Sequence, residues 1–237
     1  MNYPEGKAAA FTSQPSKGQF IALLAYLPVH VALLPAILVK FMDAGLLSED
    51  WANFAVYAVG IVYMLIFAGS FLRRDFDPLC EQPFRIFIVI MTCYGLMLIF
   101  NLAVSSLMSI LVELDNPNND AVMELVKENE GPMIAMGVFM APLVEELLFR
   151  AGIFGFLRKY SRTLAYIVSI LLFSLYHVWG YALSDAGSWI YILQYIPASF
   201  LLCRCYERCN SIWGSIFMHM LINGISFRVL SIAEEIL

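Results

Sequence analysis

The chain has 237 residues, 61% of them hydrophobic and 14% charged, with a mean hydropathy of +0.75 and a formal net charge of -5. This composition excludes an ordinary soluble domain and places the chain among integral membrane proteins. Its 14 Lys and Arg are scattered between hydrophobic runs and form no basic patch, which excludes nucleic acid as a partner.

Residues 1–19 are polar and contain Pro and Gly, and the apolar run that follows is too long and too Pro-interrupted for a cleavable signal peptide. A membrane span needs about 20 apolar residues. On that measure there are seven: Phe20 to Phe41, Trp51 to Leu72, Phe84 to Leu111, Pro132 to Leu157, Thr163 to Tyr181, Ser188 to Cys205 and Ile212 to Leu230. The expected fold is therefore all-α, a polytopic membrane helix bundle of about seven transmembrane helices with its active site in the bundle interior. Residues 1–19 form a polar cytoplasmic N-terminus, 20–111 three N-terminal transmembrane helices, 112–131 an external loop and 132–237 a four-helix catalytic core. In the loop, Ala121 to Glu128 can form a short amphipathic helix.

Charge in the connections orients the spans. Lys7 and Lys17, then Arg73, Arg74 and Arg85, then Arg158, Lys159 and Arg162, then Arg204 and Arg208 fill alternate connections, while acidic residues dominate the others. Cytoplasmic loops are the Lys- and Arg-rich ones, so the N-terminus is expected inside. The five cysteines, Cys80, Cys93, Cys203, Cys205 and Cys209, contain no CxxC pair and read as free thiols without a disulfide or zinc role.

The fourth span holds LVEELLFR, Leu143 to Arg150. Its twelve Leu, Ile, Phe and Val contribute about -0.3 to -0.6 kcal/mol each to insertion, whereas three central ionisable residues cost about 2.5 to 3.5 kcal/mol each. The charges outweigh the apolar gain, so they are expected to face the bundle interior, pair with one another or stay neutral, and the default expectation for them is a functional role. Glu146 and Arg150 are four residues apart and share a helix face as an ion pair. Glu145, turned away by about 100°, has no partner on its own helix. Desolvation of that kind tunes a carboxylate for general acid or base work near neutral pH.

Two later spans repeat the four-residue spacing, with Phe173 and His177 in FSLYH and His219 and Asn223 in HMLIN. Burying two of the chain's three histidines is costly without partners, so one interior site shared with Glu145 is the economical arrangement. The third, His30 in LPVHVALLP, is expected to bond a backbone carbonyl freed at a proline kink.

Together EELLFR, FSLYH and HMLIN, on separate spans in that order and with Gly214-Ser215 ahead of His219, resemble the CPBP intramembrane protease family, which includes CAAX prenyl endopeptidases and bacteriocin-processing or immunity-type members. The resemblance covers about residues 121–230 and departs at Ala151, where many relatives have Gly. It implies an intramembrane endopeptidase acting on a membrane-associated peptide or prenylated protein, in a bacterial cytoplasmic membrane. Glu145 and His177 would activate water, and His219 and Asn223 would stabilise the oxyanion. Glu146, Arg150 and Phe173 would orient them. No cofactor is expected. The alternative is a zinc ion held by Glu145, His177 and His219, since Glu and His are zinc ligands, although the HExxH helix is absent and Asn is a poor one. Two further alternatives are a non-catalytic membrane binding or bacteriocin-immunity protein and an ion-relaying transporter, the latter without the paired inverted repeats it would require.

Overall fold

The computed structural model describes residues 11–110, 117, 120, 121, 123, 124 and 130–236, with side chains to Val229. The regular structure among the described residues is all helical, without a strand. Seven long helices follow one another: α1 Lys17–Asp43, α2 Glu49–Arg74, α3 Pro83–Met108, α4 Glu130–Leu157, α5 Arg162–Ala182, α6 Ala186–Cys209 and α7 Ile212–Ile236. Six of the seven, α1 to α6, contain an apolar stretch long enough to cross a membrane. The seventh expected span corresponds to α7, 25 residues long and carrying His219, Asn223 and Arg228. The protein is thus an all-α, polytopic integral membrane protein. The amphipathic helix expected over 121–128 lies for the most part outside the described residues.

Local chemistry sets the ends. Ser16 caps α1 in a reciprocal box with Gln19, and the Ser161 hydroxyl caps α5 by accepting from Leu164 N–H. Asn210, at φ 52°, closes α6 in the left-handed region that Asn tolerates. The outward faces of α2 and α3 are apolar, with Val62, Leu65, Ile66, Ile99 and Leu102 all exposed, as suits contact with lipid tails. Inside, α2 and α4 approach closely because Gly60 has no side chain: a Cβ there would meet Val144 Cγ2 at 3.0 Å.

Two helices are locally wound as π-helix. In α1 it spans Val29–Leu33, between Pro28 and Pro35. In α4 it spans Met136–Met140 and again Glu146–Phe154, with Pro142 between. All nine residues of Glu146–Phe154 are buried. Its wide turns lean on neighbours: Ser169 Oγ donates to Phe149 O at 3.0 Å, and Leu23 of α1 lies against Gly152.

The basic connections gather at one end of the bundle, which is sealed. There Phe11, Phe154 and Tyr206 pack edge to face or tilted, and Asp75 accepts from Ser13 Oγ at 2.7 Å and from the Ile212 N–H. Glu207 collects Arg158 and Arg162 at 2.9 and 2.8 Å. At the other end a cavity of about 800 Å³ opens between the helices, its walls running from Glu145, His177 and His219 out to Glu49, Asn53 and Tyr181.

Candidate active site

Of the site residues expected from the sequence, Glu145, Phe173, His177, His219 and Asn223 line that cavity, and Glu146 and Arg150 lie behind them. Glu145 ends the α-helical stretch Ala141–Glu145, which has Pro142 in its first turn, and is 3% exposed. Its Oε2 lies 3.8 Å from His177 Nε2 and 3.8 Å from His219 Nε2, and has no hydrogen-bond partner among the described residues. A buried carboxylate oxygen without a partner is costly, and here it faces two imidazole nitrogens across a space open to the cavity.

Both imidazoles are held by their other nitrogen. His177 Nδ1 is 2.9 Å from Phe173 O, one helical turn back, and its ring stacks on Tyr195 at 4.6 Å. His219 Nδ1 is 2.9 Å from Glu146 Oε1. Anchoring Nδ1 in this way fixes the ring and turns Nε2 toward the reacting space.

Glu146 and Arg150 form the expected ion pair, Oε1 to Nη1 at 3.1 Å, with both side chains wholly buried. Arg150 also donates to Ser199 Oγ at 3.2 Å and lies over the Phe173 ring at 4.0 Å. Phe173 therefore sits among Arg150 and the two imidazoles, with the His177 and His219 ring centroids at 4.5 and 5.8 Å. Asn223 reaches the same cavity and donates one amide proton to Gly137 O at 2.8 Å, leaving the other free for a ligand.

Two residues beside Glu145 were missed, Tyr57 and Tyr176. Tyr57 of α2 donates to Glu145 Oε1 at 2.8 Å; its hydroxyl is 3.0 Å from that of Tyr176, which is 3.3 Å from His30 Nε2. The expectation that His30 bonds a freed backbone carbonyl is overturned. The π-turn swings its ring inward, to 1% exposure, where a tyrosine hydroxyl is in reach. The available signal was the Asn53 and Tyr57 pair, polar groups one turn apart inside an apolar span, because a buried tyrosine hydroxyl requires a partner.

Glu145 Oε2 and the two Nε2 atoms are donors of the right chemistry for zinc. Ligands about 2.0–2.1 Å from a tetrahedral ion stand about 3.3 Å from each other, and 3.8 Å is wider. Among the described residues no three His, Cys, Asp or Glu converge closely enough to hold an ion. The arrangement as it stands does not fit zinc.

Residues 128–225 match the family described as Type II CAAX prenyl endopeptidase Rce1-like. Among curated proteins, UPF0177 protein YvdC of Lactococcus lactis subsp. lactis (strain IL1403) is 27% identical over 169 residues, 69% of this chain and 61% of the relative. UPF0177 protein YxdF of the same strain is 36% identical over 84 residues, covering 35% and 42%. YdiL of Bacillus subtilis (strain 168), a candidate membrane peptidase by name, is 27% identical over 110 residues, covering 46% and 41%. The chain thus spans less than two thirds of the length of each of these relatives. No solved structure shows a significant match. The matched segment contains Glu145, Glu146, Arg150, His177, His219 and Asn223, and it is over this segment that the chain is similar to the Rce1-like family.

Proposed function

We propose that the chain is an intramembrane endopeptidase that hydrolyses a peptide bond of a membrane-associated or lipidated peptide. The observation that carries this is Glu145 Oε2, unpartnered and equidistant from two fixed imidazole nitrogens on the floor of an open cavity. A water between Glu145 Oε2 and His177 Nε2 can lose its proton to the carboxylate as its oxygen attacks the scissile carbonyl. The second amide proton of Asn223 and the N–H of His219 Nε2 supply the donors that the tetrahedral oxyanion requires. For His219 to donate from Nε2 while its Nδ1 faces Glu146, the ring carries both protons. That charge balances Glu145 and Glu146 against Arg150 and His219 in a low-dielectric interior. Protonating the leaving amine then falls to Glu145, which holds the proton taken from water.

The reading extends to the side of access. The sealed end carries Arg73, Arg74, Arg85, Arg158, Lys159 and Arg162, so the positive-inside rule puts that end and the N-terminus in the cytoplasm. The cavity mouth at Glu49, Asn53 and Tyr181 then faces away from the cytoplasm. Substrates are peptides exposed at that non-cytoplasmic surface of the membrane.

The test is cleavage of a library of membrane-tethered and prenylated peptides by purified protein in detergent, comparing wild type with Glu145→Gln, with and without a strong chelator. Cleavage that resists the chelator and is lost in Glu145→Gln supports the metal-free reading. Chelator-sensitive cleavage returns zinc to the site. If no peptide is cleaved while a related protease is active in the same conditions, a binding or immunity role replaces it.

A further inference from the structure

His30 is a buried ionisable residue that the reaction above does not use. It lies in α1, a helix whose neighbouring side chains Leu33 and Ile37 are exposed, yet it is the one buried residue of Val29–Leu33. Its ring sits among three tyrosines, with centroids at 5.8 Å from Tyr26, 5.3 Å from Tyr57 and 6.1 Å from Tyr176. A histidine on a largely lipid-facing helix is costly, and the π-turn between Pro28 and Pro35 is what aims it inward.

Proton counting gives the hydrogen-bond chain a direction. Each tyrosine hydroxyl has one proton to donate. Tyr57 donates its proton to Glu145 Oε1, so in the 3.0 Å contact the Tyr57 oxygen must accept from Tyr176. Tyr176 then has none left, so in the 3.3 Å contact its oxygen must accept from His30 Nε2–H. His30 Nδ1, which has no partner among the described residues, is consequently the bare nitrogen. The opposite tautomer would leave a buried N–H without an acceptor, which is the costlier error.

We infer that His30, through Tyr176 and Tyr57, is a positioning residue for Glu145: three donors aligned in series hold Oε1 and leave Oε2 free to face His177 and His219. The inference rests on the peptidase reading for its consequence in catalysis, but the chain itself is testable without activity. Charge-assisted bonds at the Glu145 end, strengthened by the donors behind them, fix the carboxylate plane before substrate arrives. The work is orientation, so it acts on turnover rather than on binding.

The test has two arms. In the first, histidine-selective 15N NMR of the full chain in detergent micelles reads the tautomers of its three histidines. The expected result is a neutral His30 protonated at Nε2, whose signals move in Glu145→Gln although residue 145 lies three hydrogen bonds away. A His30 protonated at Nδ1, or signals indifferent to Glu145→Gln, overturns the chain. In the second, peptide cleavage is measured for His30→Leu, His30→Gln and Tyr57→Phe, each first shown by melting and gel filtration to be folded. Loss of about 10- to 100-fold in kcat at unchanged KM is expected for His30→Leu and Tyr57→Phe, with recovery to within about threefold in His30→Gln, whose amide keeps a donor near the Nε2 position. Wild-type cleavage undiminished in folded His30→Leu overturns the positioning role and leaves the peptidase reading intact. If wild type cleaves nothing, the peptidase reading fails and the NMR arm still decides the chain.

Discussion

Replacing Arg150 by Met tests whether the adjacent carboxylates of LVEELLFR divide structure from chemistry. Arg150 and Glu146 are both wholly buried, 3.1 Å apart, so removing the cation leaves a carboxylate in the interior facing His219, at 2.9 Å, and the Ser215 hydroxyl. Breaking a buried pair in this way costs about 3–5 kcal/mol, most of it the penalty of the stranded charge. The lost Phe173 stacking and Ser199 bond act in the same direction. The rim pair Arg162 to Glu207, with Arg162 54% exposed, is a control worth about 0.2–1 kcal/mol. Denaturant unfolding in a fixed detergent, followed by far-ultraviolet circular dichroism, should therefore lose several-fold more stability in Arg150→Met than in Arg162→Met. If the stranded charge is the cause, Glu146→Gln in the Arg150→Met background should restore part of the loss, a coupling that neither single variant explains. Equal losses in Arg150→Met and Arg162→Met, or a double variant as poor as the sum of the singles, would refute the assignment of Glu146 and Arg150 to the framework.

Glu145→Gln should behave oppositely, keeping stability within about 1 kcal/mol because the amide oxygen can still accept from Tyr57, while cleavage is abolished in the peptide assay. Asn223→Ala should lower kcat by about 100- to 1000-fold, the scale of losing one oxyanion donor, with a smaller change in KM, read from initial rates. Gly214→Ala would place a Cβ 2.5 Å from Cys209 Sγ and should cost about 1–3 kcal/mol of unfolding free energy, relieved when Cys209→Ala is added. Asn210→Gly keeps the left-handed turn but drops the side chain that accepts from Thr12 N and Ser13 N at 2.8 and 3.1 Å. It should speed proteolysis of residues 11–16 without lowering the melting temperature as far as Asn210→Ala does.

The sequence made the bundle and the meeting of most candidate site residues legible because both rest on strong local signals. Twenty-residue apolar runs admit few structures in lipid, and ionisable groups inside them are expensive enough to demand one another's company. Glu145, His177, His219 and Asn223 were found in this way, from cost and four-residue spacing. Tyr176 and Ser199 carry no such cost signal, and that of Tyr57 beside Asn53 is far weaker than a charge's, since tyrosine and serine are unremarkable in a span. Which of them faces Glu145 or Arg150 depends on how α2, α5 and α6 are rotated against α4. That rotation is fixed by contacts such as Gly60 against Val144, between residues 84 positions apart, and no local pattern encodes it.

The π-turns are the other unread feature, and they explain the error at His30. A regular 3.6-residue period assigns one face to the core, so a histidine flanked by prolines on a lipid-facing helix was given the nearest freed carbonyl. A π-turn adds about one residue to the turn, rotating the side chains that follow and freeing carbonyls for outside donors. In α4 the same device lets all nine residues of Glu146–Phe154 be buried, with Phe149 O taken by Ser169. The two segments converge on one carboxylate: that in α4 follows Glu145 directly and carries Glu146 and Arg150, and that in α1 presents His30 to Tyr176. Irregular winding is tolerated at these places because the neighbouring helices re-satisfy the backbone, and the side chains it turns inward, His30, Glu146 and Arg150, are those that surround Glu145 and His219 from behind.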